Sequence, residues 1–365
     1  MIRPIRVAVL ISCLASVAAS AQDRAQQKPK SDLRGHRTAV QKLEFLPDAN
    51  QLVSASVDAI KLWNFVERKE LRELIPRGRS GDSSAMTAGG RSIQDMSVSP
   101  DGTLVAEAVM ESSQNGVVRL WNIKTGEVVR MVAENLRSVR SAQFTPDGKY
   151  LAATVRDDKG DQKVVFYETA TGTAAFDLKD DRLSTSIMVI SADGKLLAGA
   201  AANRIQIWDL ETRKVKFNLP TYKRPVTALA FSHDGALLAS AAEDEPVRVW
   251  DTQYGIVYKE IQHGQDAALA VVFSLSGQIL FTGGKDSTIK IWEPKSLKLT
   301  KTLWGHRQAV TSLALNGDGK LLAAGSKAAT VTVWDYNEDE SLKIAEKAKK
   351  DDLSGKNDKK DKEKK

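Results

Sequence analysis

Ile205-Gln206-Ile207-Trp208, Val247-Arg248-Val249-Trp250, Ile289-Lys290-Ile291-Trp292 and Val331-Thr332-Val333-Trp334 are near-copies of one short strand, and the four tryptophans are spaced by 42 residues. Ile60-Lys61-Leu62-Trp63 and Val118-Arg119-Leu120-Trp121 repeat it upstream, and Val164-Val165-Phe166-Tyr167 is a worn copy. Alternating β-branched residues that end on an aromatic predict a half-buried strand. A supersecondary unit repeated at this period builds a stacked or closed array.

A second marker keeps the same beat. Pro47-Asp48, Pro100-Asp101-Gly102, Pro146-Asp147-Gly148, Asp193-Gly194, His233-Asp234-Gly235, Ser276-Gly277 and Asp318-Gly319 are turn signatures, each following a short apolar run. A further apolar run, such as Leu237-Leu238-Ala239 or Leu321-Leu322-Ala323, leads to a polar turn and then to the aromatic strand. Leu299 to Leu303 adds a fourth strand before the next turn. Four strands per unit of 40-odd residues predict an all-β fold, a seven-bladed β-propeller with four antiparallel strands in each blade.

Trp208-Asp209, Trp250-Asp251 and Trp334-Asp335, together with Gly35-His36 and Gly305-His306, make this array resemble the WD40 repeat family over residues 31–340. The resemblance implies that the N-terminal segment Ser31-Asp32-Leu33-Arg34 supplies the outer strand of the last blade, which contains Trp334; Leu342-Lys343-Ile344 competes for that edge. It also implies a structural tetrad of His36, Asp58, Ser54 or Ser56, and Trp63, in place of a catalytic or metal-binding His–Asp pair. In blade 6 the same reading takes Asp286, Thr288 and Trp292, with His263-Gly264 in reversed order. Blade 7 keeps His306 and Trp334 but has Lys327 and Ala328 where the Asp belongs, and blade 5 has Tyr222 at the His position and keeps Asp244.

The repeat also serves as a ruler. Trp121 to Asp147, Tyr167 to Asp193, Trp208 to Asp234, Trp250 to Ser276 and Trp292 to Asp318 all span 26 residues, whereas Trp63 to Asp101 spans 38. The twelve extra residues fall within Pro76 to Gly90, a segment that contains Arg77 and Arg79. Blades 2 and 3 carry four extra residues each, in Glu111 to Asn115 and Arg156 to Gly160. In the family the connections that hold these additions share one face, the top, and long loops on a rigid scaffold are a usual place for binding. Ten or eleven residues before each turn stand Arg37, Arg91, Arg137, Arg182, Lys223 with Arg224, Gln265 with Asp266, and Arg307. Six cationic positions of seven favour an acidic protein segment or another anion, unless neighbouring acids such as Asp58, Asp157, Glu243, Asp244 and Glu245 neutralise them.

The two ends are of different character. Arg3 and Arg6, the apolar run Val7 to Ala19 and the small-x-small motif Ala19-Ser20-Ala21 predict a signal peptide over 1–21, cleaved after Ala21. Residues 22–30 then form a linker, and the mature chain is expected to be secreted or periplasmic with no transmembrane segment, an exported bacterial-type member of the family. Leu10-Ile11-Ser12-Cys13 reads alternatively as a lipobox that lipidates Cys13, the single cysteine. Residues 341–365 hold ten Lys and six acids and are expected to be a disordered tail, either solvating or attached to an anionic surface. Of the net charge of +7, only +1 belongs to residues 22–340, so no nucleic-acid footprint is expected.

Four histidines, His36, His233, His263 and His306, and the lack of a phosphate loop, nucleophile elbow or zinc spacing point away from an enzyme and from a metal or cofactor. The expectation is a non-catalytic protein-interaction scaffold with one or more protein partners on its top face. A stable subunit of an envelope complex and a channel-site hydrolase or oxidoreductase are the alternatives.

Overall fold

The computed structural model describes residues 28–343 apart from 48–49, 75–90, 180–184, 265–266 and 297. Twenty-eight strands among the described residues form seven four-stranded antiparallel sheets. In blade 1, β2 (Val40–Phe45), β3 (Gln51–Ser56), β4 (Ile60–Asn64) and β5 (Lys69–Leu74) run in chain order from the channel to the rim. Blades 2 to 6 repeat that order. Strict alternation of direction puts the fourth-strand exits and the second-to-third-strand turns at one end, the top, and the Asp-Gly turns at the other.

The last blade is completed from the chain's beginning. β1 (Ser31–Arg34) pairs antiparallel with β28 (Thr330–Asp335), with Ser31 opposite Val333 and Leu33 opposite Val331. The edge that Leu342 was expected to contest is therefore filled by β1; residues 338–343 are helical, and Leu342 packs on the core between blades 6 and 7. That helical turn is docked, since Ser341 is buried and the Glu338 carboxylate accepts from Ser274 Oγ at 2.5 Å and from Ser276 Oγ. The ordered body thus extends past 340, whereas the rest of the Lys-rich tail, like the expected signal and linker up to residue 27, lies outside the described residues.

Among the described residues seven apolar clusters hold the blades together, one at each blade-to-blade interface, and each contains one aromatic of the ladder. Trp63 lies against blade 7, Trp121 against blade 1, Tyr167 against blade 2, and so on to Trp334 against blade 6. A β-bulge directly before the aromatic recurs in blades 1 to 6, between Leu62 and Trp63 and its equivalents. Bulges bend a strand and re-aim its side chains. At the bottom, Ser99, Thr145, Ser191 and Ser232 each donate to the Asp two residues on, and the following Gly residues sit near φ +70°, where a side chain is disfavoured.

Of the two four-residue additions, that of blade 2 is not a loose loop. It lengthens β7 (Leu104–Ser112) and β8 (Asn115–Asn122) into a longer hairpin closed by Ser113 and Gln114. In blade 3 the addition is a five-residue turn, 157–161, between β11 (Tyr150–Arg156) and β12 (Gln162–Glu168).

Candidate functional site: the top face and the blade networks

The residues with the most chemistry in the sequence are occupied in holding blades. In blade 1, His36 Nε2 meets Ser54 Oγ at 2.6 Å and His36 Nδ1 meets Ser56 Oγ at 2.8 Å, while Trp63 Nε1 donates to Ser54 at 2.7 Å. Ser56 donates to Asp58 at 2.9 Å and Thr38 donates to it at 2.6 Å. Both hydroxyls suggested by the sequence therefore take part, with Asp58 one step removed from the ring. Burial pulls the His36 imidazole down to about 4, so it stands neutral between two hydroxyls.

Blade 6 corrects the assignment made from spacing. Thr288 donates to Asp286 at 2.8 Å, and the hydroxyl under Trp292 belongs to Thr282, which accepts from Trp292 Nε1 at 2.8 Å and meets His263 Nδ1 at 2.7 Å. The reversed His263-Gly264 order does not keep His263 from the histidine position, and Lys290 closes the group by donating to Asp286 and to the His263 carbonyl at 2.6 Å. In blade 5 the Tyr222 hydroxyl takes the histidine's part at 2.7 Å from Ser240 Oγ, and Asp244 turns to Lys285 of the next blade at 3.6 Å. In blade 7, Thr332 accepts from Trp334 Nε1 at 3.0 Å and meets His306 Nε2 at 2.9 Å.

Blade 2 replaces the hydroxyl by a carboxylate, a substitution with no counterpart in the spacing. Glu107 is fully buried and accepts from Trp121 Nε1 at 3.0 Å, Arg119 Nε at 2.5 Å and Arg91 Nη2 at 2.5 Å. Arg119 also reaches Glu111 at 3.0 Å, and Arg91 donates to the Asp58 carbonyl of blade 1 at 3.1 Å. Arg91, with a side chain 7% exposed, is thus a buried ion-pair member and not a rim cation. A charge here is held by its partners, so it is withdrawn from the set that could meet a ligand.

The other rim positions divide clearly. Arg37, Arg137, Lys223, Arg224 and Arg307 are exposed. The acids expected to neutralise them are engaged elsewhere: Glu243 and Asp244 face Lys285, Asp157 faces Lys163, and Glu245 faces Arg248 while accepting the backbone N–H groups of Lys223 and Arg224. Arg77, Arg79, Arg182, Gln265 and Asp266 lie outside the described residues. The channel below is a cavity of about 220 Å³ ringed by the seven inner strands, and its charged wall is at blades 1 and 2, where Lys42 stands 3.4 Å from Asp95. Among the described residues no cluster of three or more His, Cys, Asp or Glu could hold a metal, and no helix is long and apolar enough to cross a membrane.

Comparison with known proteins agrees with this architecture. Residues 27–64, 213–251, 257–293 and 297–335 match the WD domain, G-beta repeat. A WD repeat-containing protein SL1-17 of Schistosoma mansoni is 43% identical over 58 residues, 16% of this chain and 19% of that protein. WD repeat and SOCS box-containing protein 1 of Xenopus tropicalis and that of Homo sapiens are each 44% identical over 54 residues, 14% of this chain and 13% of theirs. The chain thus spans less than a fifth of the length of these relatives, and the likeness is to their repeats. WD40 propellers generally act as protein-interaction scaffolds, and this chain is a seven-bladed β-propeller in which four segments match the WD40 repeat.

Proposed function

We propose that this protein is a non-catalytic scaffold, exported from the cytoplasm, that seats an acidic segment of a protein partner on its top face. The carrying observation is the exposure of Arg37, Arg137, Lys223, Arg224 and Arg307 around one end of a rigid ring, with no side-chain ion pair to a carboxylate among the described residues. Unneutralised cations on a fixed frame raise the encounter rate with an anionic partner and select its charge. His36, His263 and His306, with Asp58 and Asp286, are spent on blade networks, and His233 stands exposed in a bottom turn, which supports a scaffold without chemistry of its own.

Replacing Arg37, Arg137 and Arg307 together by Glu is expected to abolish capture of the partner from an envelope extract while the melting temperature stays within about a degree, as for surface changes generally. Retained capture overturns the reading. Export rests on Arg3, Arg6, the Val7 to Ala19 run and Ala19-Ser20-Ala21; the intact mass of the exported protein should correspond to a chain beginning at Gln22, and a mass that includes a lipid on Cys13 would assign it to the lipoprotein class instead. The basic excess of 341–365 supports contact of the tail with an anionic surface, and removing 346–365 should then weaken salt-sensitive binding to such a surface.

A further inference from the structure

Blade 3 brings two guanidinium groups to one point. Arg156 ends β11 and its Nε donates to the Gly160 carbonyl at 3.1 Å. Arg137 lies in the entry to β10 (Ser138–Phe144), where its backbone N–H is bonded to the Arg156 carbonyl at 2.8 Å. Its Nη1 lies beside the same glycine, 3.5 Å from where a Cβ would stand. Gly160 has φ +91°, so the turn favours the residue without a side chain, and a Cβ there would stand against the Arg137 guanidinium.

Both arginines are exposed, and no described carboxylate lies within ion-pair distance of either. The turn carries three acids: Asp157 accepts the Asp161 N–H at 2.9 Å and faces Lys163 of the following strand, Asp158 accepts the Lys159 N–H at 3.0 Å, and Asp161 is among the carboxylates that make no ion pair with either arginine. Arg140, in β10 next to Val139, is exposed as well, and its Nη1 donates to Gln94 Oε1 at 3.4 Å. Like charges held together without a counterion are unfavourable unless something supplies one. Guanidinium pairs match the flat, two-oxygen face of a carboxylate or the oxygens of a phosphate.

We propose that Arg137 and Arg156, converging at Gly160, form an oxyanion-binding site on the top of blade 3, with Arg140 flanking it, and that it receives a carboxylate or phosphate group of the bound segment. The site rests on the top-face reading above and sharpens it, because it places the strongest contact on the blade whose turn is longer than the repeat. Sequence spacing pointed to Arg137 alone. Arg156 is brought to it by the hairpin.

The experiment uses the full chain and two fluorescent probes, hexaglutamate and a neutral peptide carrying one phosphoserine, with anisotropy as readout at two salt concentrations. Arg137→Gln with Arg156→Gln is expected to weaken binding of at least one probe by tenfold or more, the better-bound probe identifying the source of the oxyanion. Lys149→Gln with Lys195→Gln, two exposed cations at the bottom turns, should change it less than threefold. Thermal unfolding of both variants should match the parent. No binding of either probe by the parent protein, or equal losses in the two double variants, overturns the site. Partner capture measured in parallel separates the two readings: a parent that captures its partner while the Arg137→Gln, Arg156→Gln protein captures it equally well overturns this site alone, whereas a parent that captures no partner overturns the scaffold reading.

Discussion

At the scale of single residues, Glu107 shows how a buried charge is made tolerable. It receives two guanidinium N–H groups and an indole N–H in a fully buried position, so removing its charge leaves Arg91 and Arg119 facing each other. Breaking one member of such a group costs about 3–5 kcal/mol. Glu107→Gln is therefore expected to lower the melting temperature by several degrees, whereas Ser240→Ala, which removes a neutral hydrogen-bonding partner of Trp250 and Tyr222, should lower it by less. Equal losses in a thermal scan would contradict the ranking.

Protonation at three residues, His36 buried and His306 and Glu44 half-buried, gives stability a pH dependence with two opposing parts. His36 and His306 are each held down to about 4 by burial, below their ordinary 6.5. The folded state favours their neutral form, so their contribution is full above about 6.5 and is lost as pH falls toward 4. Glu44, whose carboxylate accepts the Val98 N–H at 2.7 Å, is pushed up by burial to about 7 from 4.5. Its contribution has the opposite slope, full below about 4.5 and lost as pH rises to 7. Melting temperatures measured from pH 4 to 8 should fall less steeply on the alkaline side in Glu44→Gln and less steeply on the acid side in His36→Asn. Parallel curves for all three proteins would remove both assignments.

At the scale of elements, closure of the ring depends on the four residues of β1. Leu33 is 2% exposed in the core between blades 7 and 1, Ser31 Oγ donates to the Phe65 carbonyl at 2.5 Å, and Lys30 pairs with Asp335 at 2.9 Å. Leu33→Ala is expected to cost about 2–5 kcal/mol by leaving a cavity. A chain beginning at Thr38 also exposes the edge of β28, and it should both melt lower and aggregate on heating. Unchanged melting of that truncated chain would show that β1 is dispensable.

This closure was legible in the sequence because Trp334 and Ser31-Asp32-Leu33-Arg34 hold fixed places in the repeat. The tetrad hydroxyls were less so, for a geometric reason. In blades 1, 5 and 6 they lie on the second strand, across a hairpin from the aromatic, as does the Glu107 carboxylate that replaces the hydroxyl in blade 2. The separation changes with hairpin length: 9 residues for Ser54 to Trp63, 10 for Thr282 to Trp292 and 14 for Glu107 to Trp121, while in blade 7 the hydroxyl of Thr332 lies on the strand of Trp334 itself. Counting back from Trp292 along its own strand reached Thr288 and missed Thr282. Arg91 was misplaced for a related reason: spacing gives a residue's position on the blade but not the buried acid its side chain meets. The pairing of Arg156 with Arg137 depends on a turn longer than the repeat, which a ruler built on the repeat can flag but not fold.

At the scale of the whole molecule, the ring has sevenfold repetition in its backbone but not along its channel. Residues one before the end of the inner strands are Glu44, Ser97 and Gln143 in blades 1 to 3, and Val189, Ala230, Val272 and Ala314 in blades 4 to 7. Each of the first three accepts a backbone N–H from the next blade: Val98 to Glu44 at 2.7 Å, Phe144 to Ser97 at 3.3 Å and Ile190 to Gln143 at 3.1 Å. The other four side chains have no acceptor to offer. Blades 1 to 4 are thus stitched through the channel, on the side where the longer top connections lie, while blades 4 to 7 depend more on apolar packing between sheets. A bonded amide exchanges only when its bond opens, so hydrogen exchange reads this difference directly. The amides of Val98, Phe144 and Ile190 should exchange more slowly than those of Phe231, Phe273 and Leu315 at the equivalent positions, and Ser97→Ala should speed Phe144 without affecting Phe273. Equal rates at the six positions would mean that the side-chain stitches do not differentiate the two halves of the ring, and that any stiffness at blades 1 to 4 comes from packing alone.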